Sequence, residues 1–196
     1  MRALPRRTAA LAVMASLLAA ACSTPPESPD FPVPRYTEQP PIKLDVAEVR
    51  VKQSYEPPLK APNVEHLVPL RPADAARQWA KDRLEAVGET GTATLDIVDA
   101  SVTREGVETE GGIGGWLTTE PDARYTASME LAMRIERPAD SGSARVRGVR
   151  GTGVLEGSSI HEREKVVYRL VKKLMNDLDE QMATTLTDSL GRYVVE

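Results

Sequence analysis

An α+β fold, an antiparallel sheet of about four strands with two helices packed on one face in the order β-α-β-β-β-α, follows from three patterns in the sequence. Tyr125, Ala127, Met129, Leu131, Met133 and Ile135 alternate strictly with Thr126, Ser128, Glu130, Ala132, Arg134 and Glu136, the period-two signature of a half-buried antiparallel strand. Val167, Leu170, Val171, Leu174, Leu178, Met182, Leu186 and Leu190 instead recur at helical spacing and end at Gly191. A shorter helical stripe, Ala76, Trp79, Ala80, Leu84 and Val87, precedes the strands and ends at Gly88. Helices flanking a run of strands, rather than alternating with them, place the chain in the α+β class.

The first strand is expected over Ile42–Lys52. Ile42, Leu44 and Val46 occupy one face and Ala47, Val49 and Val51 continue in the opposite phase, as in a strand with a bulge. A proline-rich passage, residues 56–71, then returns Leu67, Val68 and Leu70 to the domain. Pro72 suits a first helical position and Asp74 complements the helix dipole in the first turn. Trp79 lies inside the apolar stripe and is therefore read as core.

Thr92–Thr103 shifts phase between Ile97 and Val98, a second bulge or sharp twist. After the regular strand at 125–136, Pro138–Ser143 makes a turn and Ala144–Leu155 returns as a strand in which Gly148, Gly151 and Gly153 permit close approach. Ser159 followed by Glu162 forms a capping box at the start of the long helix, whose roughly 45 Å at about 1.5 Å per residue would cross the sheet. Lys172, Lys173, Asp177, Asp179 and Glu180 fall on its other face, expected to be solvated.

Residues 1–21 carry an address. Arg2, Arg6 and Arg7 form a positive head, Ala9–Leu18 an apolar run, and Ala19–Ala21 a small-residue approach to Cys22, the order of a secretory signal. About 13 apolar residues fall short of the roughly 20 that a helix needs to span a bilayer. Removing the segment leaves 22 basic residues against 29 acidic ones, a net charge of −7, which argues against nucleic acid as a partner. Residues 22–41, with prolines at 25, 26, 29, 32, 34, 40 and 41, read as an extended tether. The other reading is an arm packed on the domain and anchored by Phe31 and Tyr36. A single domain then occupies Ile42–Glu196.

The sequence provides no catalytic or metal constellation and implies no cofactor. His161-Glu162 begins a zinc-protease signature, but Lys165 stands where the second histidine belongs. Gly157-Ser158-Ser159 lacks the frame of a nucleophile elbow, with only His66 and His161 as candidate bases. Asp96 and Asp99 point to opposite faces of a regular strand and could approach each other only through the bulge. The glycines of Gly111–Gly115 lack the strand and helix of a dinucleotide site, yet they lie beside Ile113, Trp116 and Leu117. Those three residues form the apolar tip of a loop and are the candidate interaction residues; the alternative is that Trp116 caps the core. Arg145, Arg147 and Arg150, near Arg134 and Arg137 across a hairpin, form either a solvated outer face or a surface for anionic headgroups or an acidic partner.

The run of small residues closing on Cys22 resembles the lipobox of bacterial lipoproteins; Ala19 holds the position where leucine is usual and alanine is tolerated. The resemblance implies acylation of Cys22, loss of residues 1–21 and attachment to a membrane facing the periplasm. Ser23 in place of an aspartate favours the outer over the inner membrane. With the element order and proline-rich tether, the chain also resembles YajG-type lipoproteins and, more distantly, the transport-auxiliary lipoproteins of the PqiC and LptE kind. That resemblance implies a non-enzymatic accessory or assembly subunit of a cell-envelope complex. A lipid carrier holding its ligand between helix and sheet, and a peptidoglycan-binding structural lipoprotein, are the alternatives.

Overall fold

The computed structural model describes residues 31–106 and 121–195. The elements are β1 (Ile42–Leu44), β2 (Glu48–Gln53), α1 (Pro72–Arg83), β3 (Leu84–Ala86), β4 (Thr92–Gly106), β5 (Pro121–Glu136), β6 (Ser141–Leu155), α2 (Ile160–Leu190), a 3-10 turn over Gly191–Tyr193, and β7 (Val194–Val195). The α+β class holds: a four-stranded sheet, β2-β4-β5-β6, carries both helices on one face.

The strict alternation at 125–136 produces a two-sided strand. Met129, Leu131, Met133 and Ile135 are fully buried against the helices, while Arg134 and Glu136 are exposed on the outer face. β4 pairs antiparallel with β5 throughout, with a register shift between Ile97 and Asp99 where the sequence changes phase. β6 pairs antiparallel with β5 and lies directly beneath α2. A Cβ added at Gly148 would sit 2.7 Å from Leu174 Cδ1, so this glycine sets the helix-to-sheet distance; at Gly151 the nearest such atom is 3.7 Å away and the expected close approach is absent.

The expected single strand over Ile42–Lys52 is in fact two. The chain bends at Asp45–Ala47, so β1 pairs with β3 and β7 in a separate three-stranded sheet, while β2 joins the main sheet parallel to β4. The main sheet is therefore mixed rather than wholly antiparallel. The opposite phases of Leu44 and Val49 record this handover between sheets rather than a bulge. The first helix also stops early: Leu84–Ala86 extends as β3, and Val87, expected on the buried stripe, is 43% exposed.

The long helix begins as expected. Ser159 Oγ accepts from the Glu162 backbone N–H, and the Glu162 carboxylate accepts from the Ser159 backbone N–H at 2.8 Å. That reciprocal bond holds the Glu162 carboxyl below its ordinary range. The buried stripe from Val167 to Leu190 matches the sequence pattern, and each large side chain removed from water contributes about 1.5–3 kcal/mol. No helix among the described residues is long and apolar enough to cross a membrane.

Candidate functional site

Residues 31–41 were expected as a tether or as a packed arm, and the arm is what forms. Tyr36 is 6% exposed, within the core. Its backbone N–H donates to Asp82 Oδ2 at 3.0 Å, and Arg35 grips the same carboxylate through Nε and Nη2, both at 2.9 Å. The Asp82 side chain is 2% exposed and sits at the end of α1, where Gln78 also donates to it. These donors, Arg35 first, hold its carboxyl down to about 2. Burial pushes the Tyr36 phenol up, with the Asp179 charge adding to it, so the phenol stays protonated.

Beneath the arm lies a buried polar junction. Asp179 Oδ1 accepts from Trp79 Nε1 and from Arg83 Nε, each at 2.7 Å, and Arg83 also donates to the Pro40 carbonyl. Asp179 was expected on a solvated face with Asp177; both are instead engaged, Asp177 by a bidentate pair with Arg150 of β6. Trp79 is core, as its stripe indicates, but its N–H ties α1 to α2. Between the arm and α2 runs a cleft of about 580 Å³ lined by Glu38, Gln39, Lys172, Glu180 and Thr184.

Traced backwards from residue 39, the arm follows α2 toward the start of that helix. The Pro32 carbonyl accepts from Tyr168 Oη at 2.8 Å, and the Phe31 ring lies 5.3 Å from Tyr168 and 6.0 Å from His161. At this end of the domain an apolar groove of about 260 Å³ opens between Val64, Leu67 and Val68 on one side and Ile160 and Val167 on the other, floored by Tyr125. Arg104 and Arg163 flank it, the latter paired with Asp122 at 2.8 Å. Ligand cavities usually begin near 300 Å³, so the groove is smaller than a typical small-molecule site.

The loop that leads to this groove is fastened by a buried carboxylate. Glu65, 3% exposed, accepts from Tyr55 Oη at 3.0 Å, from Asn63 Nδ2 at 3.2 Å and from the Val102 N–H at 3.2 Å. Leu70 is buried and Val68 half-buried, as expected, but Leu67 is 72% exposed.

The other candidates separate. Cys22, Ile113, Trp116 and Leu117 lie outside the described residues. The strand ends nearest the last three, Gly106 and Ala123, pair at the same end of the sheet as the groove. The bulge places Asp96 and Asp99 on one face after all, but each is held by its own donors: Asp96 by Ser54, and Asp99 by Ser128 Oγ and the Ser101 N–H. His161 is half-buried under Phe31, while His66 is exposed on the loop. The arginine row splits as well: Arg145 and Arg147 point outward, whereas Arg150 faces α2. Among the described residues no three potential metal ligands cluster.

Sequence reasoning missed Asp82, Arg83, Glu65 and Asp179, because a charged residue destined for burial has no local signature. Where α2 crosses β6, the space beneath Leu174 is filled to the backbone of Gly148, so at that point helix and sheet leave no room for a lipid between them.

No family model and no curated protein matches the chain. Several solved structures resemble it distantly, among them the three that follow. The rare lipoprotein B from Shewanella oneidensis is 13% identical, with 72% of this chain and 97% of that one covered at a TM-score of 0.39. A minor lipoprotein from Acinetobacter baumannii is 10% identical over 78% and 98% of the two chains, with a TM-score of 0.38. A Xanthomonas campestris protein described by the family model DUF330 is 10% identical over 80% and 93%, with a TM-score of 0.38.

Proposed function

We propose that the chain is an exported envelope lipoprotein, anchored through acylated Cys22 to a membrane facing the periplasm, whose α+β domain is a non-catalytic accessory or assembly subunit of an envelope complex. The observation that carries this reading is the arm. Residues 35–40, thirteen positions and more after the proposed anchor, are fixed across α1 and α2: Arg35 and Tyr36 at Asp82, and Pro40 at Arg83. An arm bound to its domain in this way fixes where the chain leaves the domain toward the anchor and limits the domain's distance from lipid to the reach of residues 22–31. The two or three acyl chains that the lipobox implies, at about 0.8 kcal/mol per buried CH₂, hold such a protein on the bilayer stably. The outer membrane is the favoured one, from Ser23.

Metabolic labelling with palmitate tests the anchor: label on the wild type and none on Cys22→Ser supports it, and equal label on both overturns it. Crosslinking in intact cells, followed by identification of the captured protein, tests the accessory role. Recovery of the domain uncrosslinked from cells in which Cys22 is acylated would count against a subunit of a complex.

A further inference from the structure

We propose that the domain stands on the membrane by the end at which α2 begins, with Leu67, Leu155 and Ile160 entering the lipid headgroup region. This rests on acylation of Cys22, and it adds an orientation and a lipid-contacting surface to that reading.

Two independent observations converge on this end. The first is the route of the chain. The arm runs beside α2 from Thr184, which lines its cleft, to Tyr168 and His161, and Phe31 lies against the first turns of the helix. From Phe31 back to Cys22 are nine residues. At no more than about 3.6 Å each, they reach at most about 32 Å. Phe31 lies beside Tyr168, and the 22 residues from there to Leu190 rise about 33 Å at 1.5 Å per residue. An inverted domain, with Leu190 toward lipid, would need residues 22–31 stretched to their full reach, whereas the start of α2 lies only about 12 Å along the helix from Tyr168. The start of α2 is therefore the end held near the bilayer.

The second observation is what that end exposes. Ile160 is 78% exposed, Leu67 72% and Leu155 48%. Leu67 and Ile160 line the same groove, and Leu155 is joined to the helix start by the turn in which the Ser158 N–H donates to its carbonyl at 3.2 Å. Ile160, at the first position of the capped helix, covers little of the domain beyond the rim of that groove. Beside a bilayer it enters the interface, as the apolar face of a monotopic helix does. Arg104, on the rim of the groove, is placed to meet lipid phosphate.

The test uses full-length acylated protein, with the lipid mass on Cys22 confirmed, reconstituted into vesicles of phosphatidylethanolamine and phosphatidylglycerol. Because acylation blocks Cys22, single substitutions Ile160→Cys, Leu67→Cys and Ser189→Cys each offer one thiol for a spin label. All three positions are exposed, so folding is retained. The expected result is that labels at 160 and 67 are several-fold more accessible to oxygen than to a water-soluble nickel chelate, relative to the label at 189. A label at 160 as aqueous as that at 189, on protein carrying the acyl mass, overturns the orientation alone. A label at 160 shielded from both reagents gives this surface to a protein partner and also overturns it. Absence of the acyl mass removes the anchor and the orientation together.

Discussion

The indole N–H of Trp79 donates to Asp179 Oδ1 at 2.7 Å, although the two residues are separated by 100 positions in the chain, and Arg83 donates to the same oxygen. The pair joins α1 to α2 at a point where the Arg83 side chain is 6% exposed and that of Asp179 is 16% exposed. Asp179→Ala would leave a buried guanidinium with the Pro40 carbonyl as its remaining acceptor. Breaking a buried pair from one side costs about 3–5 kcal/mol. Urea denaturation should show that loss for Asp179→Ala. The double variant Arg83→Met with Asp179→Leu should regain part of it, because it removes both charges and keeps the volume while the Trp79 N–H still lacks its acceptor.

The Asp82 carboxylate gives the arm a pH dependence. Its carboxyl is held at about 2, below the unfolded value of about 3.9. A depressed carboxyl contributes its stabilisation in full above the unfolded value and loses it as pH falls through the folded one, so the loss lies between about pH 4 and pH 2. Asp82→Asn should lower the free energy of unfolding at pH 7 by about 1 kcal/mol, a modest figure because Arg35 is solvent-exposed and screened. The variant should also lose less stability than the wild type between pH 4 and pH 2. Thermal melts across that window read both effects.

Gly148 and Gly151 make a matched pair. Gly148→Ala places a methyl 2.7 Å from Leu174 Cδ1 and 3.3 Å from Leu178, so the helix must lift or its leucines must change rotamer, at about 1–3 kcal/mol. Gly151→Ala meets nothing closer than 3.7 Å and should be neutral or slightly stabilising in the same strand. Equal melting temperatures for the two variants would refute the claim that α2 is seated on the Gly148 backbone.

Glu65 fastens the loop between β2 and α1 to β4. Glu65→Ala leaves the Tyr55 hydroxyl and the Val102 N–H without their acceptor and the Asn63 amide with only Tyr55 Oη at 3.4 Å, at about 1–3 kcal/mol. Hydrogen exchange should accelerate at Val102 and across residues 54–70 while α2 remains protected. Unchanged exchange at Val102 would mean that the loop is held by its apolar contacts alone.

Periodicity made β5, α2 and the capping box legible, because in each the local pattern and the tertiary packing ask for the same residues. The phase change at Ile97 likewise marked a true register shift. What the sequence hid was partnership. Ile42–Lys52 carries two alternations that fit one bulged strand or two separate ones, and only Leu84–Ala86 and Val194–Val195, far along the chain, decide that β1 leaves the main sheet. Leu84 fits a helical stripe and a strand equally well, so the end of α1 could not be read locally. The candidate surface was hidden for a related reason. Leu67 was read as returning to the core with Val68 and Leu70, and nothing in its neighbours distinguishes the one that remains exposed. Tyr36 and Phe31, set among prolines, were the visible sign that the arm packs.

The arm also decides where a recombinant fragment can begin. A chain started at Ile42 would be deprived of Arg35, Tyr36 and Pro40, uncovering the Asp82 carboxylate and leaving Asp179 as the sole acceptor for Arg83. Such a fragment should melt earlier than one started at Phe31 and expose a polar seam to aggregation, although both contain every strand and helix. The boundary for biophysical work thus falls eleven residues before the first strand, inside a stretch whose prolines invite its deletion.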